Sequence, residues 1–273
     1  MKKIKLIFGN GFIGNHFLSL PNTYIVNKRI NVIKDIYSEI EKFDPEIIIN
    51  CIGKTGKPNV DWCEYHKDDT FFSNVTIPSL MAEACEDLNI YVVHIGSGCI
   101  YEGEIYKEED TPNFRGSFYS RTKIYSEQIL NFYKNVLQVR IRMPIDDKPS
   151  PKNLITKLIN YKKVINIPNS VTCIPDLIVI TNKLIEKRHT GIYNVVNRGP
   201  ITHKEILEMY RDIVDNNFIM PEFISLEELD TVAKRSNCVL DTKKLENIGI
   251  KIRESRDAIA DCMEKYGEYK TYL

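Results

Sequence analysis

The chain of 273 residues predicts an α/β fold built on a doubly wound parallel sheet, with a small, discontinuous C-terminal lobe. Three observations carry that prediction. Short apolar runs alternate with stretches of helical period through the first half. A glycine-rich turn, Gly9-Asn10-Gly11-Phe12-Ile13-Gly14, follows the first apolar run and opens the first helical one. Hydrophobic residues make up 43% of the chain, enough for a full core.

Residues 3–8 read as a buried first strand. In the turn after it, Gly9 allows the tight bend, Gly11 lets the backbone approach a pyrophosphate, and Gly14 lets the helix pack close to the strand. The helix N-terminus faces the phosphates. All six residues from Gly9 to Gly14 are therefore expected at a dinucleotide. A second strand over 24–27 ends in Lys28-Arg29, where an NAD site usually has an acidic residue. Two cations suit a 2′-phosphate, so NADPH is expected over NADH.

A helix over 31–43 leads to a third strand, 46–51. Cys51 and Gly53 at its end are expected beside the cofactor. The loop 53–66 carries Thr55, Asp61 and the single tryptophan, Trp62, at the carboxyl end of a strand, where open α/β sheets bind ligands. A long helix spans 69–88. Asn74 inside it is a poor helix former, suited to bonding backbone or ordering water near the site. The fourth strand, 90–96, delivers Ser97 and Cys99 to the same sheet edge. A polar surface loop, 102–117, precedes a helix with Tyr119 and Lys123 on one face at i, i+4. The fifth strand covers 136–142.

Beyond Pro144 the rhythm changes. Residues 153–161 form a short helix containing Lys157, and 166–172 are extended. A helix over 175–187 leads to a strand over 191–196 that should rejoin the sheet. Thr202 can cap a helix to about 214, with Glu205 at the capping-box position. Short helices and loops complete the chain, with Arg235-Ser236-Asn237 in one loop. Residues 1–145 and 173–198 are assigned to the dinucleotide domain, and 146–172 and 199–273 to the lobe that closes over it.

The totals narrow the function. Lys+Arg and Asp+Glu are both 37, which argues against a nucleic-acid or membrane-surface role. No apolar run approaches the roughly 18 residues of a membrane span, and no signal-peptide pattern opens the chain. Seven scattered cysteines fit reduced thiols in the cytoplasm, with neither a disulfide framework nor a metal site. Ser97, Tyr119 and Lys123 converging on a carbonyl make a reduction site. Tyr119 is the expected proton donor. Lys123 is expected to lower the phenol pKa and to bond the nicotinamide ribose, and Ser97 to hold the carbonyl oxygen.

The glycine turn, the Ser after the fourth strand and Tyr-x-x-x-Lys together resemble the extended short-chain dehydrogenase/reductases, whose sheet is the Rossmann type. Longer matches run through both lobes: 56–64, Gly98-Cys99-Ile100, 118–123, 140–145, 167–170, 191–194, 203–212 and Arg235-Ser236-Asn237. They resemble the bifunctional UDP-4-keto-6-deoxyglucose 3,5-epimerase/4-reductases of plants, with relatives in giant viruses. The resemblance implies NADPH, a UDP-linked keto sugar as substrate, and a homodimer. It also implies a second acid/base set, Cys99 and Lys157; in the similar GDP-fucose synthases a His holds the latter position. A free thiol titrates near 8.5, so Cys99 needs only a modest shift to act near neutrality. Asn153, Arg235 and Asn237 are the candidates for the diphosphate end. Thr55, Thr172 and Asp61 are further substrate candidates. The loop between Tyr101 and Asp110 is shorter than the plant pattern. Two other readings stay open: a 4-keto-rhamnose reductase alone, which does not need Cys99 and Lys157, and a non-enzymatic NADP-binding regulatory subunit.

Overall fold

The computed structural model describes residues 4–270. Lys3 of the expected first strand, and the extreme ends of both assigned lobes, lie outside the described residues. Six parallel strands form the central sheet: β1 (Lys5–Phe8), β2 (Thr23–Val26), β3 (Ile47–Asn50), β4 (Tyr91–Ser97), β5 (Val136–Ile141) and β6 (Gly191–Asn194). Their order is β6-β5-β4-β3-β1-β2. The direction of winding reverses between β1 and β3, which opens a crevice at their carboxyl ends. Register is set by matched apolar residues: Ile7 lies opposite Ile25 on one side and Ile49 on the other.

Alternation along each strand feeds two separate cores. Ile7, Ile49, Val93 and Val139 pack with the helix Ile174–Glu186 on one face. Leu6, Phe8, Ile48 and Val92 pack with the helices Ile33–Phe43 and Ile77–Asp87 on the other. A third cluster stands beyond the sheet, built from Ile155, Leu158, Ile206, Tyr210, Ile259 and Met263. It joins the helices Leu154–Asn160, His203–Ile213 and Ser255–Lys270.

Several elements differ from the expectation. The loop after β3 contains a short helix, Trp62–Tyr65. The polar loop after β4 holds Ile105–Tyr106, which pairs with Val239–Leu240. The C-terminal region ends in a helix of 16 residues rather than short pieces. The long helix after 66 is interrupted by a π turn, Phe72–Thr76, at Asn74. The Asn74 amide bonds backbone there: it accepts from Lys54 N at 2.7 Å and donates to Lys54 O at 3.1 Å and to Thr122 Oγ1 at 3.0 Å. The Thr202–Glu205 capping box forms as expected.

Candidate active site

A cavity of about 850 Å³ opens where the sheet's carboxyl edge faces the third cluster. Its floor is the glycine turn. Gly9 has φ of +102°, and a Cβ there would meet the Cys51 carbonyl carbon at 2.8 Å. At Gly14 a Cβ would lie 1.8 Å from Gly9 O, so the first helix can start only with glycine at that point. Gly11 is different: a Cβ there would touch nothing within 4 Å, which leaves room above the turn for a ligand. Gly11, Phe12, Ile13, Cys51 and Gly53 line the cavity. Asn10 holds the turn from behind, its carbonyl accepting from Asn15 Nδ2 at 2.9 Å.

At the end of β2, Lys28 is committed to its own surface. It sits 3.0 Å from Asp35 Oδ1 and donates to Ser38 Oγ at 2.9 Å. Backbone N–H bonds from Asn31, with Lys28 beside them, bring Asp35 down to about 2. Arg29 is exposed next to this pair.

Ser97 ends β4, and its Oγ accepts from Cys99 N at 3.1 Å, which folds the thiol back over the sheet edge. Ser117 caps the helix Phe118–Leu130 by accepting from Ser120 N, and this cap sets the phase that turns Tyr119 and Lys123 inward. Both are buried, 8% and 6% exposed. Lys123 Nζ donates to Ile95 O at 3.4 Å. Burial pushes the Tyr119 phenol well up, and a charge on Cys99 adds to that; a bond with Ser97 opposes it. Burial also brings Lys123 down to about 8. Burial rather than the Lys123 charge dominates the phenol here, because both groups share one dry pocket that penalises either charge. The pocket favours the protonated Tyr119 phenol.

Cys99 and Lys157 line the same cavity. Burial lowers the Lys157 ammonium, and Cys99 pulls it the other way, so the two are within electrostatic reach. Arg142 Nη1 donates to Cys99 Sγ at 3.1 Å. His203 also reaches the cavity, its Nδ1 3.1 Å from Ile165 O, and burial brings it down to about 4. Neither Arg142 nor His203 was singled out from the sequence.

Arg235, Asn237 and Thr55 line the cavity as expected. Asp61 does not; its Oδ1 accepts from Arg235 Nη1 at 2.9 Å and Ala233 N at 3.0 Å, fixing the loop that carries Arg235. Burial opposes the Asp61 charge, but these bonds outweigh it and hold the carboxyl below its usual range. Asn153 and Thr172 also stand outside the cavity. The Asn153 side chain caps the Lys157 helix, accepting from Ile155 N at 3.1 Å and donating to Asp146 O at 2.8 Å. The Thr172 hydroxyl donates to Val195 O at 2.9 Å and accepts from Arg142 N at 3.0 Å. Both are locked by full burial.

Among the described residues, nine lysines and arginines line the cavity and no aspartate or glutamate does. A chain with no net charge has therefore gathered a strongly cationic cleft. Such a field favours a ligand with several phosphate charges. Among the described residues no His/Cys/Asp/Glu cluster could hold a metal ion, and no helix is long and apolar enough to cross a membrane.

A model of the RmlD substrate binding domain matches residues 27–268. The chain belongs to that family. A bifunctional dTDP-4-dehydrorhamnose 3,5-epimerase/dTDP-4-dehydrorhamnose reductase of Arabidopsis thaliana is 43% identical over 80% of this chain and 76% of its own length. A trifunctional UDP-glucose 4,6-dehydratase/UDP-4-keto-6-deoxy-D-glucose 3,5-epimerase/UDP-4-keto-L-rhamnose-reductase of the same plant is 41% identical over 80% of this chain, which spans 34% of that protein. Among solved structures, the UDP-rhamnose synthase of Acanthamoeba polyphaga mimivirus superposes with a TM-score of 0.91 at 30% identity, covering 97% of this chain and 100% of the other. The dTDP-4-dehydrorhamnose reductase of Bacillus anthracis in complex with NADP shares the fold, with a TM-score of 0.85 at 22% identity over 98% and 100% of the two chains.

Proposed function

We propose that this chain converts UDP-4-keto-6-deoxy-D-glucose to UDP-L-rhamnose, by 3,5-epimerisation and then NADPH-dependent reduction of the C4 ketone. The reductase half rests on family membership and on relatives named as 4-dehydrorhamnose reductases and UDP-rhamnose synthases. The observation that carries the full reading is the presence of both acid/base sets, Ser97-Tyr119-Lys123 and Cys99-Lys157, in one cationic cavity.

The glycine turn fits a dinucleotide: it is open above Gly11 and closed by close packing at Gly9 and Gly14. NADPH held there would supply a hydride to C4. Gly11, Phe12 and Ile13 would hold its diphosphate, and Lys28 with Arg29 its 2′-phosphate. Lys123 is placed to bond the ribose.

In epimerisation, the hydrogens on C3 and C5 are acidic because each is α to the C4 ketone. The Cys99 thiolate takes such a proton on one face, and the electron pair moves onto the C4 oxygen. Ser97 and Tyr119 hold that oxyanion by hydrogen bonds. The Lys157 ammonium returns a proton from the other face. In reduction, the Tyr119 phenol donates its proton to O4 as the carbon accepts hydride. Lys152, Arg235 and their cationic neighbours would hold the UDP diphosphate. The family resemblance also supports a homodimer working in the cytoplasm.

The test supplies UDP-4-keto-6-deoxyglucose and NADPH in deuterated water and weighs the product. The reading expects NADPH oxidation with deuterium at both C3 and C5. Oxidation without deuterium would leave a reductase alone, and tight NADPH binding with no oxidation would point to a regulatory subunit.

A further inference from the structure

Two arginines lie near the end of β5, and their surroundings differ in one respect. Arg140 is buried against Glu127, with Nε and Nη2 donating to its two carboxylate oxygens at 2.6 and 2.7 Å. Arg142 is equally buried, 2% exposed. No carboxylate forms an ion pair with it among the described residues. Its Nε and Nη2 donate to Asn169 Oδ1 at 3.2 and 2.5 Å, Nη2 also to Ser236 O at 2.6 Å, and Nη1 to Ser236 Oγ at 3.2 Å. All of these acceptors are neutral. The remaining bond runs from Nη1 to Cys99 Sγ. A guanidinium does not deprotonate in a protein, and burying one without a counter-charge is costly. Among the described residues, Cys99 is the one bonded partner with an ionisable proton, and a thiolate is a far better acceptor than a thiol.

We propose that Arg142 is the fixed counter-ion of a Cys99 thiolate, a positioning residue that keeps the sulfur charged and aimed into the cleft. The proposal deepens the epimerase reading and rests on it. Four other titratable groups feel Cys99: Tyr119 and Lys123 on the helix Phe118–Leu130, Lys157 on the helix Leu154–Asn160, and Cys238 in the loop before Val239. Burial raises Tyr119 and Cys238, which favours their neutral forms. Burial lowers both lysines, Lys123 to about 8, so the Lys123 charge weakens where a free thiol titrates. Arg142 alone of this group keeps its charge at every working pH. Asn169 and the Ser236 carbonyl hold its fork in place. The 236–237 loop is thereby tied to the sheet edge through the residue that charges the thiol.

The test follows Cys99 alkylation by iodoacetamide against pH, quantified on the Cys99 peptide by mass spectrometry. In the intact chain, half-maximal reactivity should fall at least about one unit below the free-thiol value near 8.5. Arg142→Gln should move it back up, lowering the thiolate fraction at pH 7 by about tenfold or more. Arg142→Lys should restore part of the shift. A wild-type midpoint at or above the free-thiol value overturns the proposal, and this reading needs no variant to fold. A lowered midpoint that Arg142→Gln leaves in place also overturns it, since the lysines would then be the cause. The two ideas separate cleanly. An Arg142-dependent low midpoint without deuterium at C3 or C5 supports the counter-ion and refutes the epimerase. Deuterium at both carbons with an unshifted thiol refutes the counter-ion and keeps the epimerase.

Discussion

The two proposed acid/base sets of the cleft are built in different ways. Ser97, Tyr119 and Lys123 come from the end of β4 and one helix packed on it, all parts of a single sheet-centred body. Cys99 and Lys157 come from separate parts of the fold: a loop above the sheet, and a helix belonging to the third hydrophobic cluster. The first set is positioned by local geometry, a cap at Ser117 and a strand end. The second depends on contacts far apart in sequence, such as Arg142 to Ser236 and Asp61 to Arg235. A hydride transfer needs only the rigid set and a fixed cofactor. Inversion at C3 and C5 needs groups on both faces of the sugar, which the proposed second set draws from both bodies. The difference predicts that the two half-reactions can be broken apart.

The largest separation should come from Tyr119→Phe. Loss of a general acid typically costs about 10² to 10⁴ in rate. NADPH oxidation should fall by that factor, while deuterium exchange at C3 and C5 falls far less, because Ser97 still holds the oxyanion. Equal loss of both would mean that the phenol serves epimerisation directly.

Acid should weaken the second side through His203. Its imidazole is held at about 4 against an ordinary 6.5, with burial as the main cause. The fold therefore keeps it neutral, and the unfolded chain binds the extra proton between those values. Stability is full above about pH 6.5 and is lost as pH falls through about 4, by on the order of 3 kcal/mol. Urea unfolding of wild type and His203→Gln at pH 7 and pH 4.5 measures this as the difference in acid sensitivity. Matching sensitivity in the two proteins would contradict it.

Two glycine substitutions sharpen the account of the first side. Gly14→Ala must push a methyl into Gly9 O and should cost about 1–3 kcal/mol in thermal or urea unfolding. Gly11→Ala meets open space and should leave stability within about 0.5 kcal/mol, yet weaken NADPH binding in a fluorescence titration. The smallest effect is expected at the cofactor's far end. Arg29→Ala should reduce the preference for NADPH over NADH by about tenfold, one charge-assisted contact's worth. Lys28→Ala should do less, since Lys28 already pairs with Asp35.

Local signals were the legible ones. The glycine turn, the Tyr119–Lys123 spacing and the Thr202 cap each depend on residues within a few positions, and each is found where the spacing places it. Asn153 and Thr172 were misplaced because a polar residue in a short element gives no sign of whether it faces ligand or backbone. Here both are spent on holding neighbouring turns. The cationic cleft was hidden by averaging: its lysines and arginines are scattered from 54 to 235, and the net charge is zero. The 16-residue C-terminal helix has a seam at Ala258, Ile259, Cys262, Met263 and Tyr266, but the surrounding charges mask it. Arg142 could not be read as the partner of Cys99, because 43 residues separate them and only the packed sheet edge brings them together.

The central claim is that one cleft holds two separable chemistries, and Cys99→Ser tests it most directly. The variant is given UDP-4-keto-6-deoxyglucose in one assay and the already epimerised 4-keto sugar in another, with NADPH oxidation followed in both. The account predicts reduction of the epimerised sugar within a few-fold of wild type, and loss of about 10² or more on the unepimerised one. Full conversion of the unepimerised substrate by the variant, at the wild-type rate and with deuterium at C3 and C5, would contradict it.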